Sequence, residues 1–216
     1  MKQVLLAYCL CLYFILSGPL NVLQAQEECV LQPPVLKIDF GSNREPMATS
    51  FLSRASYHEV NDNCPQDGSY TVVTATGGCF GGHWVTLNED HTPNDYDGKM
   101  LLVNASYNPG LFFVAPLRGL NPGATYQIAA WIVNVCIPRY DCTNLMPNLR
   151  FTIENIGGIQ LAKFATGDIP ATGTATWLQY TAFFKAPADG ATIFLKIENK
   201  EEGGCGNDFA MDDITV

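Results

Sequence analysis

The sequence predicts an all-β fold, an antiparallel β-sandwich, on three observations. The 216-residue chain carries many short runs rich in Val, Ile, Thr, Phe and Tyr. Turn residues separate them at close intervals, as in NPG (121–123), GG (157–158), DG (189–190) and GG (203–204). No helical repeat of any length accompanies them. Short strands at such spacing stack into a sandwich or barrel.

The elements follow in order. LKIDF (36–40) alternates and stops at Gly41, and SYTVVTAT (69–76) is β-branched and ends at a glycine pair. MLLVNA (100–105) is apolar, and LFFVAP (111–116) follows the turn NPG (108–110). YQIAAWIVNVC (126–136) is the longest run and is expected to be a central strand. Runs at 149–154, 176–185, 191–198 and 209–216 complete the set. One helix is expected around 47–57, behind Pro46.

The first residues predict export. Lys2 precedes the apolar run VLLAYCLCLYFIL (4–16), which Ser17, Gly18 and Pro19 break, and small Ala25 precedes QEE. Charge, apolar core, breaker and small residue are the order of a cleaved signal peptide, here 1–25. The run is shorter than the roughly 20 apolar residues of a spanning helix. The mature domain, 26–216, is then expected outside the cell or at its surface, with no insertion into the membrane. The run is followed by Pro19 rather than a cysteine, which argues against a lipid-anchored start.

The formal charge is −9, and the leader takes one Lys with it, so the mature surface is more acidic still. Such a surface repels phosphate backbones and excludes nucleic acid as a partner. Two of the eight cysteines leave with the leader. Cys29, Cys64, Cys79, Cys136, Cys142 and Cys205 remain, an even set in an exported chain, which predicts disulfides of open connectivity. Cys136–Cys142 is the easiest local pair, Cys64–Cys79 staples a hairpin, and Cys29 is then left with Cys205. No CxxC occurs and no His lies at zinc spacing.

Acids gather in three places: Asp39 in the first strand, the loop NEDHTPNDYDG (88–98), and NDFAMDDI (207–214) near the end. First and last strands of an antiparallel sandwich often adjoin. Alternation puts Asp212 on one face with Ile214 and Val216, hence buried, and Asp213 on the other with Met211 and Thr215. A buried carboxylate must be paired or bind a cation. Oxygen-only ligands from several acids point to Ca²⁺.

No catalytic site is expected. There is no GxSxG, HExxH or P-loop. Asp95 and Asp97 are available as a carboxylate pair for glycoside cleavage, but adjacent loop acids fit cation binding equally well. Sugar binding needs aromatic faces and a few polar arms. The candidates are Trp84 with His83 behind a Gly-rich loop, and Tyr96, Tyr107 and Tyr140. Trp131 and Trp177 lie inside long apolar runs and are read as core.

These residues carry a resemblance. Asp39–Phe40, DHT (90–92) with GKMLLV (98–103), and FAMDDI (209–214) resemble the jelly-roll domains of the MAM type and calcium-carrying carbohydrate-binding modules. NCPQDGSY (63–70), GCFGGHW (78–84), VNASYNPG (103–110) and GGCGND (203–208) are similar to a module of Bacteroidetes cell-surface proteins, often beside PKD-like repeats. The resemblance spans about 39–216. It implies a galactose-binding-like jelly roll with one structural calcium ion, held by Asp39, Asp90 and Asp212 with Asp213 in reserve. MAM domains have Glu after Asp-Phe where this chain has Gly41. The implied role is a non-catalytic module binding glycan at the cell surface, or else an adhesion or spacer module contacting a cell-surface protein.

Overall fold

The computed structural model describes residues 32–42, 56–141 and 144–216. Their regular structure is almost wholly β. Eleven strands run β1 (Lys37–Ile38), β2 (His58–Glu59), β3 (Ser69–Val73), β4 (Met100–Asn104), β5 (Gly110–Leu117), β6 (Thr125–Asn134), β7 (Leu149–Asn155), β8 (Gln160–Ala165), β9 (Leu178–Lys185), β10 (Ile193–Asn199) and β11 (Phe209–Thr215). The large sheet has the order β2-β3-β4-β11-β6-β9, with β1 also paired to β11. The small sheet is β5-β10-β7-β8. All pairs are antiparallel except β2 with β3. This is the jelly-roll sandwich the sequence implies, and residues 34–216 form one compact unit.

The nine expected runs are all strands. β2 and β8 were not expected. β8 reads QLAKFA, an edge strand short of β-branched residues. The expected helix falls outside the described residues except for its last two, Ser56 and Tyr57, which are not helical. The leader, residues 1–25, also lies outside them. Among the described residues no helix is long and apolar enough to cross a membrane.

Two apolar clusters hold the sheets. The larger lies between them and includes Phe112, Phe113, Phe151 and Phe209, all essentially inaccessible. Each such side chain contributes about 1.5–3 kcal/mol on burial. The second lies on the far side of the large sheet. There Met100, Leu102, Val133 and Ala210 pack against Cys79, Trp84, Val85 and Leu87. Residues 74–99 therefore cover that face like an extra layer. Strand β4 records this in its sequence: MLLVN does not alternate, because both of its faces are buried. By contrast β10 alternates, and its outer face carries the ion pairs Lys196–Glu154 and Arg150–Glu198.

The Cys64–Cys79 disulfide forms, its ends separated by 15 positions in sequence. Cys205 is also disulfide-bonded, to a partner outside the described residues. The local pair Cys136–Cys142 is not formed, because Cys136 is a free thiol. Its S–H is turned away from the loop and toward the carboxylate of Asp208, 3.3 Å away. Removing the Cys64–Cys79 link with paired serines is expected to cost about 3 kcal/mol, the loop-closure value for this span. Denaturant titration of the double variant measures it, and a loss below about 1 kcal/mol would show that the layer holds without the staple.

Candidate functional site

The last strand sets the site. Phe209 and Met211 face the inter-sheet core, and Ala210 faces the covering layer. Between Asp212, opposite Trp131, and Thr215, opposite Ala129, β11 carries one residue more than β6. Asp213 takes up this β-bulge with φ 47°. Beyond it Ile214 and Val216 return to the core. Simple alternation placed Asp212 with Ile214 and Val216, and the bulge overturns that assignment. Asp212 is fully buried as expected, but under residues 91–92 rather than in the core.

Both carboxylates consequently meet one segment. Asp212 Oδ2 accepts the backbone N–H groups of His91 (2.9 Å) and Thr92 (3.2 Å), and its Oδ1 accepts that of Asp213 (2.8 Å). Asp213 binds the His91 ring nitrogen Nδ1 (2.8 Å) and the Thr92 hydroxyl (2.9 Å). The His91 ring stacks on Trp131 at 3.9 Å and meets Trp177 edge-on. The two tryptophans read as core form the half-buried slot that seats this histidine, and Trp177 also packs against the second apolar cluster.

The acidic loop closes against β1. Lys99 N–H donates to Gly41 O at 2.9 Å, and Ser42 bridges to Gly98. Gly41 has φ 74°, where a side chain is strained. Its N–H donates to Asp39 Oδ1 at 3.1 Å. Lys37 Nζ lies 3.1 Å from Asp39 and 4.0 Å from Asp213. On the other side, the carboxylates of Asp90 and Asp95 both crowd the space in which a Cβ on Gly98 would sit. Asp90 Oδ2 and Asp95 Oδ1 are buried and accept no hydrogen bond.

This set fits a hard cation. Its donors are carboxylate oxygens only, and two of those oxygens are buried without a partner. Burial, with the charges of Asp95 and Asp213, pushes the Asp90 carboxyl up to about 6. Burial raises Asp95 too, with Asp39 and Asp213 adding to it. Burial pushes Asp212 to about 8 against its three N–H donors. Among the described residues no three acidic, His or Cys side chains already surround a single coordinating point. They approach as pairs, Asp90 with Asp95 and Asp39 with Asp213 around Lys37. Asp212, with its oxygens occupied by backbone donors, is an anchor for the loop. Asp95 enters the set; the sequence offered it as a loop acid without assigning it.

At the opposite end of β4 lies a pocket of about 210 Å³. Trp84 and Asp208, 4% and 6% exposed, form its floor. Trp84 Nε1 donates to Asp208 Oδ2 at 3.0 Å, and Ala105 N–H donates to Asp208 Oδ1 at 2.9 Å. Burial pushes the Asp208 carboxyl up to about 7 and the neighbouring Cys136 thiol well above its ordinary value. Residues 204–206 form one wall, and Gly206 is required there because a Cβ would strike the Leu145 backbone. Ile137 and Arg139 line the other side. Arg139 is held by Asp141 through Nε (2.8 Å) and Nη2 (2.5 Å), and its Nη1 meets His83 Nδ1 at 2.6 Å.

Phe80 stands at the mouth. It is more than a third exposed and packs edge-on against Trp84, with ring centroids 4.9 Å apart. Its φ of 52° and ψ of 42° are left-handed, a conformation that costs a non-glycine residue of order 1 kcal/mol or more. Two glycines precede Cys79 and two follow Phe80, and the disulfide pins the turn. Of the expected sugar-binding residues, His83 and Trp84 line this pocket, Trp84 as buried floor rather than open platform. Tyr107 lies beside Asp67, whose charge at the rim raises the Tyr107 hydroxyl above its ordinary value. Tyr96 lines the hollow of the acidic loop instead, and Tyr140 is fully exposed outside the pocket lining. Phe80, Arg139, Asp67 and Asp208 were missed; the run GGCFGG, one aromatic among four glycines, was the available signal for Phe80.

No family model matches the chain, and no curated protein matches it in sequence. Solved structures match it in fold. A cyclase from Fischerella sp. TAU, in complex with 4-(1H-indol-3-yl)butan-2-one, has a TM-score of 0.53 at 14% identity over 87% of this chain and 96% of its own. The carbohydrate-binding module CBM6cm-2 of Cellvibrio mixtus lichenase 5A, in complex with cellotriose, scores 0.40 at 13% identity over 85% and 96%. The N-terminal CBM22-1–GH10 modules of Clostridium thermocellum endo-1,4-β-D-xylanase 10B score 0.43 at 14% identity over 86% of this chain, which spans only 28% of that one. The likeness is one of fold. Likeness of fold does not fix function, so function is argued from the site.

Two tests address the acidic site. In chelator, the raised carboxyls of Asp90 and Asp212 contribute stability that is lost as pH rises through about 6 and about 8. The melting temperature in chelator is therefore expected to rise on acidification from pH 8 toward 5, and calcium is expected to flatten that slope. A chelated protein that loses stability on acidification across this range contradicts the burial of these groups. Gly98→Ala is expected to abolish the melting-temperature gain given by calcium, since its methyl fills the space between Asp90 and Asp95. Calorimetry with and without calcium reads this, and an unchanged gain removes the pair from the ligand set.

Proposed function

We propose that the protein is an exported, non-catalytic carbohydrate-binding module whose ligand site is the pocket beneath Phe80. The observation that carries this reading is Phe80 itself. A non-glycine aromatic ring is held in a strained turn, pinned by a disulfide, and displayed over a pocket edged with polar side chains. Strain of this kind persists where the surroundings enforce it, and it clusters at ligand sites. An exposed ring with hydrogen-bonding neighbours suits a sugar, whose C–H face packs on the ring while its hydroxyls meet the polar arms.

In this reading a calcium ion at the Asp90–Asp95 pair, near Asp39 and Asp213, has a structural part. It neutralises acids that otherwise repel each other and fixes the acidic loop to β1 and β11. Among the described residues the mechanism needs no covalent step. Trp84 and Asp208 fix the floor, Arg139 orients His83, and Asp67 stands at the rim. Export, through the leader at 1–25, places the module where polysaccharides and glycoconjugates are met.

Glycan-array binding of the calcium-loaded protein tests the reading, with Phe80→Gly as the deciding variant. Glycine relieves the left-handed strain while removing the ring, so binding is expected to fall to background with the melting temperature within a few degrees of the parent. Glycan binding that survives Phe80→Gly moves the site elsewhere.

A further inference from the structure

We infer that this pocket holds the single terminal ring of an uncharged glycan, recognising a chain end rather than the interior of a polysaccharide; the inference rests on the carbohydrate reading above. Size is the first argument. Ligand sites for larger molecules run from roughly 300 Å³ upward, and this pocket offers about 210 Å³. It is a recess with a buried floor and walls on two sides, not a groove along a sheet. The second argument is the aromatic inventory. Of Phe80 and Trp84, only Phe80 is exposed, so one stacking face is available. A site that grips a chain along its length needs a row of such faces.

Charge selects among sugars. Among the described residues Arg139 is the one guanidinium in the lining, and Asp141 already occupies two of its three nitrogens while His83 meets the third. Asp208 lies in the floor and Asp67 on the rim, so carboxylates outnumber free positive charge. A uronic acid or sulfated sugar is repelled. Neutral hydroxyls are not. The exposed Asp67 carboxylate on the rim is an acceptor for them, and such charge-assisted bonds are the strong ones.

Titration calorimetry on the calcium-loaded protein tests this with methyl glycosides of glucose, galactose, mannose, xylose and N-acetylglucosamine, with glucuronic acid, and with oligosaccharides of increasing length built on whichever glycoside binds. Affinity is expected to change by less than about threefold with length, because added rings lie outside the pocket. Asp67→Asn, at an exposed position that leaves the core untouched, is expected to weaken binding about tenfold or more. Glucuronic acid is expected not to compete. Affinity that climbs about tenfold or more as rings are added overturns the chain-end inference and leaves the carbohydrate reading standing. Glucuronic acid binding as tightly as the neutral glycosides overturns the charge argument alone. No binding by any of these sugars or by a glycan array overturns the carbohydrate reading and this inference with it.

Discussion

The side chain of Asp212 accepts two backbone N–H groups from residues 91–92 and one from its own successor, and the rest of the molecule depends on that attachment. A fully buried carboxylate is costly unless such donors meet it. Here they come from a segment with little regular structure of its own. The exchange fixes residues 74–99 to the outer face of the large sheet. Apolar packing of Trp84, Val85 and Leu87 on Met100, Leu102 and Ala210 then completes a second core. The layer lacks a continuous hydrogen-bonded ladder, and Asp212 without its donors is an uncompensated charge.

The covering layer also joins two sites that the sheet would otherwise keep apart. One end is stapled by Cys64–Cys79 and displays Phe80; the other carries Asp90 and Asp95. Between them runs β4, buried on both faces. The disulfide acts on this segment at one end, and in the proposed reading a cation acts on it at the other. This division suits a binding module. Rigidity is supplied at the margins of the layer, so the polar arms of the pocket are oriented before any ligand arrives, and less ordering entropy is lost on binding.

Much of this was legible in the sequence, and what was not has physical causes. The nine main strands declare themselves through β-branched and aromatic runs between turn residues. β8 does not, because an edge strand with one bare face tolerates Gln, Ala and Lys. The acids were found, and their convergence follows from β1 lying beside β11. Their division of labour was hidden by the bulge at Asp213. Alternation assumes an unbroken pleat, and one extra residue reverses every assignment beyond it. Cysteine proximity misled at Cys136 for a related reason. Sequence spacing shows which loops can close, but not which way a strand-end side chain points, and here it points at Asp208.

Phe80 shows how far local chemistry alone reaches. Glycine at that position fits the backbone better, and the flanking glycines already supply the turn. An aromatic side chain retained there is a departure from local consistency, and such departures concentrate where a protein does something with the group. The contact with Trp84 returns some of the conformational cost, since edge-to-face pairs are worth roughly 0.5–1.5 kcal/mol. That return depends on Trp84 being held still, which the indole hydrogen bond to Asp208 does. Asp208 in turn keeps Cys136 as a thiol turned inward. The exposed ring, the buried indole, the buried carboxylate and the free cysteine therefore form one connected support. Its outermost member is, among the described residues, the one aromatic ring that the pocket presents to solvent.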